Sequence, residues 1–91
     1  MDVEDVFSSR LRMKIIKLLM QLGELNVSQI ARRLSVNYNS ISKHLKVLED
    51  EDLVQCKKYG RIRLYRFNEH SEKAKTVQNL VETWGQAQKS S

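Results

Sequence analysis

The sequence predicts one mainly α-helical domain that carries a single small β-hairpin. Three observations lead there. Among 91 residues there are three Gly and no Pro, too few turn formers for a loop-rich all-β fold. Apolar residues recur at helical spacing in four stretches, and strand-like alternation is confined to residues 53–68. Hydrophobic residues make up 41% and charged residues 30%, the balance of a globular chain and not of a disordered one. A chain of this length is expected to form a single domain, residues 1–91.

Residues 9–22 read as an amphipathic helix. Leu11, Ile15, Leu18 and Leu22 follow i, i+4, i+7, i+11 spacing, and Ile16 and Leu19 widen the stripe. Gly23 is a C-terminal stop. Val3, Val6 and Phe7 make a smaller apolar set ahead of it, either a short helix or an extension of the first. Leu25-Asn26-Val27 is a short extended piece. Asn26 followed three residues later by Gln29 has the capping-box pattern, so a second helix starts there and buries Ile30, Ala31 and Leu34.

Ser35-Val36-Asn37 then breaks the pattern, and Asn37 is a good N-cap for a third helix from Tyr38 to about Asp50. Ile41, Leu45 and Leu48 share one face of it. Asn39, Ser42, Lys43 and Lys46 lie on the others and form a polar, partly basic surface. Two short helices joined by about three residues, the second with a polar exposed start, are the helix-turn-helix pattern.

Leu53–Lys58 and Arg61–Asn68 read as two strands with Gly60 in the turn between them. Val54 and Cys56 share one face, and Gln55 and Lys57 the other. In the second strand Ile62 and Leu64 alternate with Arg61, Arg63, Tyr65 and Phe67. Both faces hold large apolar groups, so periodicity does not say which meets the core. A basic hairpin after a helix-turn-helix is a wing, and the expected architecture is a winged helix-turn-helix. Residues 69–88 form a last helix capped by Asn68 or Ser71. Its narrow apolar stripe fits a seam between two copies, with Val77, Leu80, Val81 and Trp84 as the candidate dimer interface. The chain thus divides into a winged helix-turn-helix core, residues 9–68, and a C-terminal dimerisation helix, residues 69–88.

Charge points to the partner. The net charge is +5 and the pI about 9.6, above the rough threshold at which a nucleic-acid partner is suspected. Residues 53–68 hold Lys57, Lys58, Arg61, Arg63 and Arg66 and no acid. The candidate DNA-binding residues are therefore Asn37, Tyr38, Asn39, Ser40, Ser42, Lys43 and Lys46 on the third helix, and Lys57, Lys58, Tyr59, Arg61 and Arg63 on the wing. Asn pairs in bidentate fashion with adenine, and Lys with guanine or phosphate. The wing could lie along the phosphate backbone or dip into the minor groove. Each group also has a plain reading, a capped solvated helix start or a solvated hairpin edge. Arg10, Arg12, Arg32 and Arg33 could be flanking phosphate contacts or ordinary surface charge.

No nucleophile–base–orienter set, phosphate-binding Gly loop or paired catalytic carboxylates occur, so no enzyme and no cofactor are expected. One Cys and two His do not make a transition-metal cluster within one chain, so no metal is expected. Cys56 alone rules out a disulfide framework. No apolar run approaches the roughly 18 residues of a membrane span, and the acidic start (Asp2, Glu4, Asp5) is unlike a signal or transit peptide. The expected location is the cytoplasm.

With these residues in place, the sequence resembles the winged helix-turn-helix repressors of the ArsR type. The stretch NVSQIARRLSVNYNSISKHLKVLEDEDLVQCKKYGRIRLYRFN, residues 26–68, follows that family's pattern throughout. Its most specific part is Ser42-Lys43-His44-Leu45-Lys46-Val47-Leu48, which is similar to the family's S-x-H-L-x-x-L recognition-helix signature. Leu53-Val54, the basic turn and Tyr65 also match, as does the opening Ser9-Arg10-Leu11-Arg12. The resemblance implies a DNA-binding homodimer whose terminal helices pack together. Two departures stand out. Asn26 and Ser28 occupy the positions of the C-x-C pair of the family's metal sensors, and on the last helix only His70 and Glu72 approach the ligands of a second sensing site. Asp52 stands where the family usually has Gly before Leu-Val; should that turn need a positive φ, Asp tolerates it better than most residues.

The expected function is sequence-specific binding of double-stranded DNA by a homodimeric prokaryotic transcriptional regulator. The alternatives are a winged-helix protein-interaction module, a non-specific chromatin-like DNA-binding protein, and a single-stranded or RNA-binding module with Tyr59 and Tyr38 as stacking platforms. Neither an effector nor an operator can be read from the residues.

Overall fold

A computed structural model describes residues 9–90; the apolar set Val3, Val6 and Phe7 lies outside them. The order is α1 (Arg10–Leu22), α2 (Val27–Leu34), α3 (Tyr38–Asp50), β1 (Val54–Tyr59), β2 (Ile62–Phe67) and α4 (Glu72–Ser90). Among the described residues no helix is long and apolar enough to cross a membrane.

Each helix end has a chemical cause. At the end of α1 the Gly23 N–H still donates to Leu19 O at 2.9 Å, and the positive φ of Gly23 (84°) then turns the chain out of the helix. α2 opens with both halves of the capping box. Gln29 N donates to Asn26 Oδ1 at 2.8 Å, and Asn26 N donates to Gln29 Oε1 at 2.9 Å. It closes at Ser35, left-handed at φ 56°, with Val36 N donating to Ala31 O at 3.0 Å. α3 opens on Asn37, whose Oδ1 accepts from Ser40 N at 2.8 Å.

The end of α3 answers the question raised by Asp52. Asp52 has φ 61°, and Leu53 N donates to Leu48 O at 2.9 Å, which closes the helix and drops Leu53 into the core. A carboxylate residue therefore holds the left-handed position that glycine fills at lower cost.

β1 and β2 pair antiparallel from Val54↔Phe67 to Tyr59↔Ile62. The two-residue turn Gly60-Arg61 has its positive φ at Gly60 (61°), as a type II′ hairpin turn requires. The open side of β2 is bridged once more, at Leu25. Leu25 N donates to Tyr65 O at 3.0 Å and Tyr65 N donates to Leu25 O at 2.8 Å. The extended piece before α2 thus acts as a one-residue third strand. The ambiguity of the wing faces is resolved by burial. Val54, Tyr65 and Phe67 turn inward, and Gln55, Lys57, Tyr59, Ile62, Leu64 and Arg66 form the outer face.

α4 begins a few residues later than residue 69. Asn68 is spent on the chain before it: its Nδ2 donates to Asp52 O at 3.0 Å. Ser71 is the cap, its Oγ accepting from Ala74 N at 3.3 Å. Lys73 Nζ lies 2.7 Å from Glu51 Oε2, and this ammonium holds the Glu51 carboxyl below the usual carboxylate range. The core is one cluster. Ile15, Ile16 and Leu19 from α1 meet Ile30 from α2, Ile41, Leu45 and Leu48 from α3, the inner strand residues, and Ala74 and Val77 from α4.

At Asp52, the left-handed backbone predicts an order of stabilities. Measured by urea unfolding, Asp52→Gly should leave stability unchanged or raise it by up to about 1 kcal/mol, because strain relief is offset by the looser unfolded chain. Asp52→Val should lower stability by about 1–2 kcal/mol. A valine variant as stable as the parent would contradict the assigned turn.

Candidate nucleic-acid interface

α3 presents its two sides to different surroundings. Leu45 and Leu48 are fully buried, whereas Tyr38, Asn39, Lys43 and Lys46 are exposed and Ser40 and Ser42 are half-buried. The helix therefore keeps its register through the apolar side and leaves the polar side unencumbered. Asn37 is already occupied as the cap. Lys46 makes an exposed ion pair with Asp50 at 3.4 Å, an interaction of small worth that a stronger anion would displace.

Opposite α3 stands the wing. Between them lies an open groove of about 1010 Å³ lined by Asn39, Ser42, Lys43, Lys46, Glu49, Cys56, Lys58, Arg63 and Tyr65. Four cations and one carboxylate thus face a common space. Cross-strand pairing explains the wing side of it: Lys58 sits opposite Arg63 and Cys56 opposite Tyr65, all on the inner face. Tyr65 is buried at the groove floor. Burial and then the neighbouring Cys56 raise its phenol above the ordinary value, so it stays neutral. A second, smaller hollow of about 310 Å³ opens at the free edge of β2. It brings Arg61, Ile62 and Arg63 beside the start of α2 and Tyr38 of α3.

Of the residues expected from sequence, Asn39, Ser42, Lys43, Lys46, Lys58 and Arg63 meet in the main groove, and Tyr38 and Arg61 at the second hollow. Lys57 and Tyr59 lie exposed on the outer face of the wing, away from the groove. The candidate dimer residues also divide. Val77 is buried in the chain's own core and Val81 packs partly against it, while Leu80 (60%) and Trp84 (63%) are largely exposed.

One contact was not foreseen. Arg12 Nε on α1 donates to His44 Nδ1 on α3 at 3.1 Å. A guanidinium can only donate, so Nδ1 is the unprotonated nitrogen and the ring hydrogen sits on Nε2. Burial, reinforced by the Arg12 charge, lowers the His44 pKa below its ordinary 6.5. Asn26 and Ser28 stand at the positions of the C-x-C pair of the family's metal sensors. The Asn26 side chain is spent on the capping box and Ser28 offers only a hydroxyl, so neither position supplies a thiolate. Among the described residues no three His, Cys, Asp or Glu side chains gather into a metal-binding group.

Comparison with known proteins agrees with this geometry. The model of the family described as bacterial regulatory protein, arsR family, matches residues 9–55, just over half of the chain. YuzN of Bacillus subtilis (strain 168), an uncharacterized HTH-type transcriptional regulator, is 38% identical over 64 residues. That match covers 69% of this chain and 64% of YuzN, so it spans less than two-thirds of the relative. A solved homodimeric winged helix-turn-helix DNA-binding domain from Mycobacterium bovis, from a possible ArsR-family regulator, superposes with a TM-score of 0.75 at 27% identity. It covers 92% of this chain and 75% of that one. The transcriptional repressor BigR from Xylella fastidiosa superposes with a TM-score of 0.76 over 91% of this chain and 80% of its own; at 19% identity this shows a shared fold.

The Arg12–His44 contact predicts a pH dependence with a definite sign. The folded-state pKa of His44 is depressed, so the fold favours the neutral ring. This stabilisation is complete above the unfolded value near 6.5 and is lost as pH falls through the lower folded value. An NMR titration should place the His44 imidazole below 6.5, and Arg12→Leu should move it part of the way back, since burial remains. A His44 that titrates at or above 6.5 in the parent chain would contradict the contact.

Proposed function

Because this chain belongs to the ArsR family of bacterial regulatory proteins, whose members are transcriptional regulators, we propose that it binds double-stranded DNA sequence-specifically as a homodimer and regulates transcription. The observation that carries this reading is the groove in which Lys43 and Lys46 of α3 face Lys58 and Arg63 of the wing. Its cationic lining suits a phosphate strand, with α3 in the major groove on one side and the wing on the flanking backbone. Asn39 and Lys43, exposed at the start of α3, are the base-reading candidates. Lys57, Lys58, Arg61 and Arg63 supply sequence-independent affinity.

Two copies fit the exposed stripe. Leu80 and Trp84 lie one helical turn apart on α4 and offer a large apolar surface that the described residues leave largely uncovered. Pairing two such stripes gives a two-fold assembly, and two-fold symmetry implies an inverted-repeat site with half-sites about 34 Å apart or a multiple of that. The cytoplasm is where such an assembly meets its DNA.

The test is binding to DNA from upstream of the chain's own gene and to random duplex, each across a salt series. Tighter binding to the upstream DNA with a steep salt slope is expected. Lys57→Ala, Lys58→Ala and Arg61→Ala should each weaken binding to all duplexes and reduce the slope by about 1, whereas Asn39→Ala should change discrimination at one base pair by about 1–3 kcal/mol. Equal affinity for both duplexes would favour a non-specific chromatin-like role, and no binding at low salt would overturn the DNA reading.

Light scattering tests the second part. The parent chain should run as a dimer, and Leu80→Ser with Trp84→Ser as a folded monomer. A double variant that stays dimeric would place the interface elsewhere.

A further inference from the structure

The smaller hollow at the free edge of β2 holds main-chain groups that the fold leaves unused. Tyr65 gives both its N–H and its C=O to Leu25, on the side of β2 away from β1. In an antiparallel ladder residues two apart point the same way, so Arg63 directs its N–H and C=O to that side as well. The residue that would face Arg63 there is Val27, two positions after Leu25, and at Val27 the chain has already turned into α2. The edge is therefore closed at Tyr65 and open at Arg63. The hollow of about 310 Å³ lies at this opening, bordered by Val27 and Ser28 of α2 and by Tyr38 of α3.

The lining specifies a class of ligand. Arg61 and Arg63 border the hollow, no Asp or Glu does, and neither guanidinium is in an ion pair among the described residues. Ile62 (56% exposed) and Tyr38 (54% exposed) add apolar surface that the core does not use. Two guanidiniums beside an open N–H call for an anionic head, which Arg grips in bidentate fashion. Ile62 and the Tyr38 ring call for an apolar body next to that head. The volume stands at the foot of the range of about 300–1,000 Å³ typical of ligand sites, so the body is a single ring. We propose that this hollow binds a small organic acid with one apolar ring, its carboxylate at Arg61 and Arg63 and its ring at Tyr38 and Ile62, and that the acid and DNA exclude each other. The second half rests on the DNA-binding reading above and adds a regulator to it. Exclusion follows from shared residues. Arg63, Ser42 and Tyr65 line both this hollow and the groove between α3 and the wing. An acid seated at Arg63 turns a cation of that groove into an ion pair, and so weakens its hold on a phosphate strand.

The experiment titrates the full chain, isotope-labelled for NMR and without DNA, with benzoate, benzamide and acetate. Benzoate should give saturable shifts at the amides of Ser28, Ile62 and Arg63. Benzamide, which lacks the charge, and acetate, which lacks the ring, should each bind at least about tenfold more weakly. Arg61→Gln and Ile62→Ser should each weaken benzoate at least about fivefold, while the remaining amides keep their folded dispersion. Benzoate should also loosen binding to the upstream duplex at least about threefold more than acetate at the same concentration, which matches the ionic strength, and Ile62→Ser should remove that difference. Benzoate shifts that do not saturate, that acetate reproduces, or that persist unchanged in both variants would overturn the site. Saturable benzoate binding that leaves duplex affinity where acetate leaves it would overturn the exclusion. A chain that binds no duplex at low salt loses the DNA reading and the exclusion with it, and the titration without DNA still decides the site.

Discussion

The placement of the wing depends on one pair of main-chain hydrogen bonds. A two-stranded hairpin in water is marginal by itself. Here Leu25 donates to and accepts from Tyr65, so the middle of β2 is tied to the residue that leads into α2. That tie fixes the hairpin against the helix-turn-helix, buries the Tyr65 ring, and leaves only the outer half of the hairpin to project. The capping box at Asn26 follows directly, so the same short segment starts α2 and anchors β2.

The site is built by division of faces. Every element that borders it buries one side and shows the other, and the two sides differ in charge. α3 places Ile41, Leu45 and Leu48 in the core and its lysines outside. The hairpin keeps Val54, Tyr65 and Phe67 inside, and its arginines and lysines accumulate toward the tip, beyond the last core contact. The acids are elsewhere. Glu51 is nearly buried and paired with Lys73, Glu24 reaches toward Arg66 at 3.9 Å, and of the described acids only Glu49 borders the groove. A chain of net charge +5 thereby concentrates its field in one cleft.

Much of this was legible in the residues. The limits of α3 follow from Asn37 and the Ile41–Leu45–Leu48 spacing, and the structure puts the helix at Tyr38–Asp50. Gly23 and the Asn26–Gln29 pair act as their side chains suggest, because caps and stops are local chemistry. What could not be read is what joins distant parts. The Leu25–Tyr65 bridge spans forty residues, and Arg12 meets His44 across thirty-two. No periodicity encodes such pairs. The inner face of the wing was ambiguous for the same reason. Ile62 and Leu64 are as apolar as Tyr65 and Phe67, and only the bridge and the packing of β2 on α1 and of β1 on α3 decide that the aromatics go inside. Val77 taught the converse: a stripe on a terminal helix can serve the chain's own core at one end and remain open at the other.

The separation of duties along α3 bears on how such a protein changes over generations. Asn39 and Lys43 have no part in the core, so exchanging them costs the fold almost nothing. Asn37 is different: it is the cap, and its loss weakens the helix that carries every other outward residue. Mutational drift can therefore explore new residue combinations on the outward face while the cap and the inward leucines stay under purifying pressure. The same partition offers a protein engineer a small library space, a few outward positions on a scaffold whose stability they barely touch.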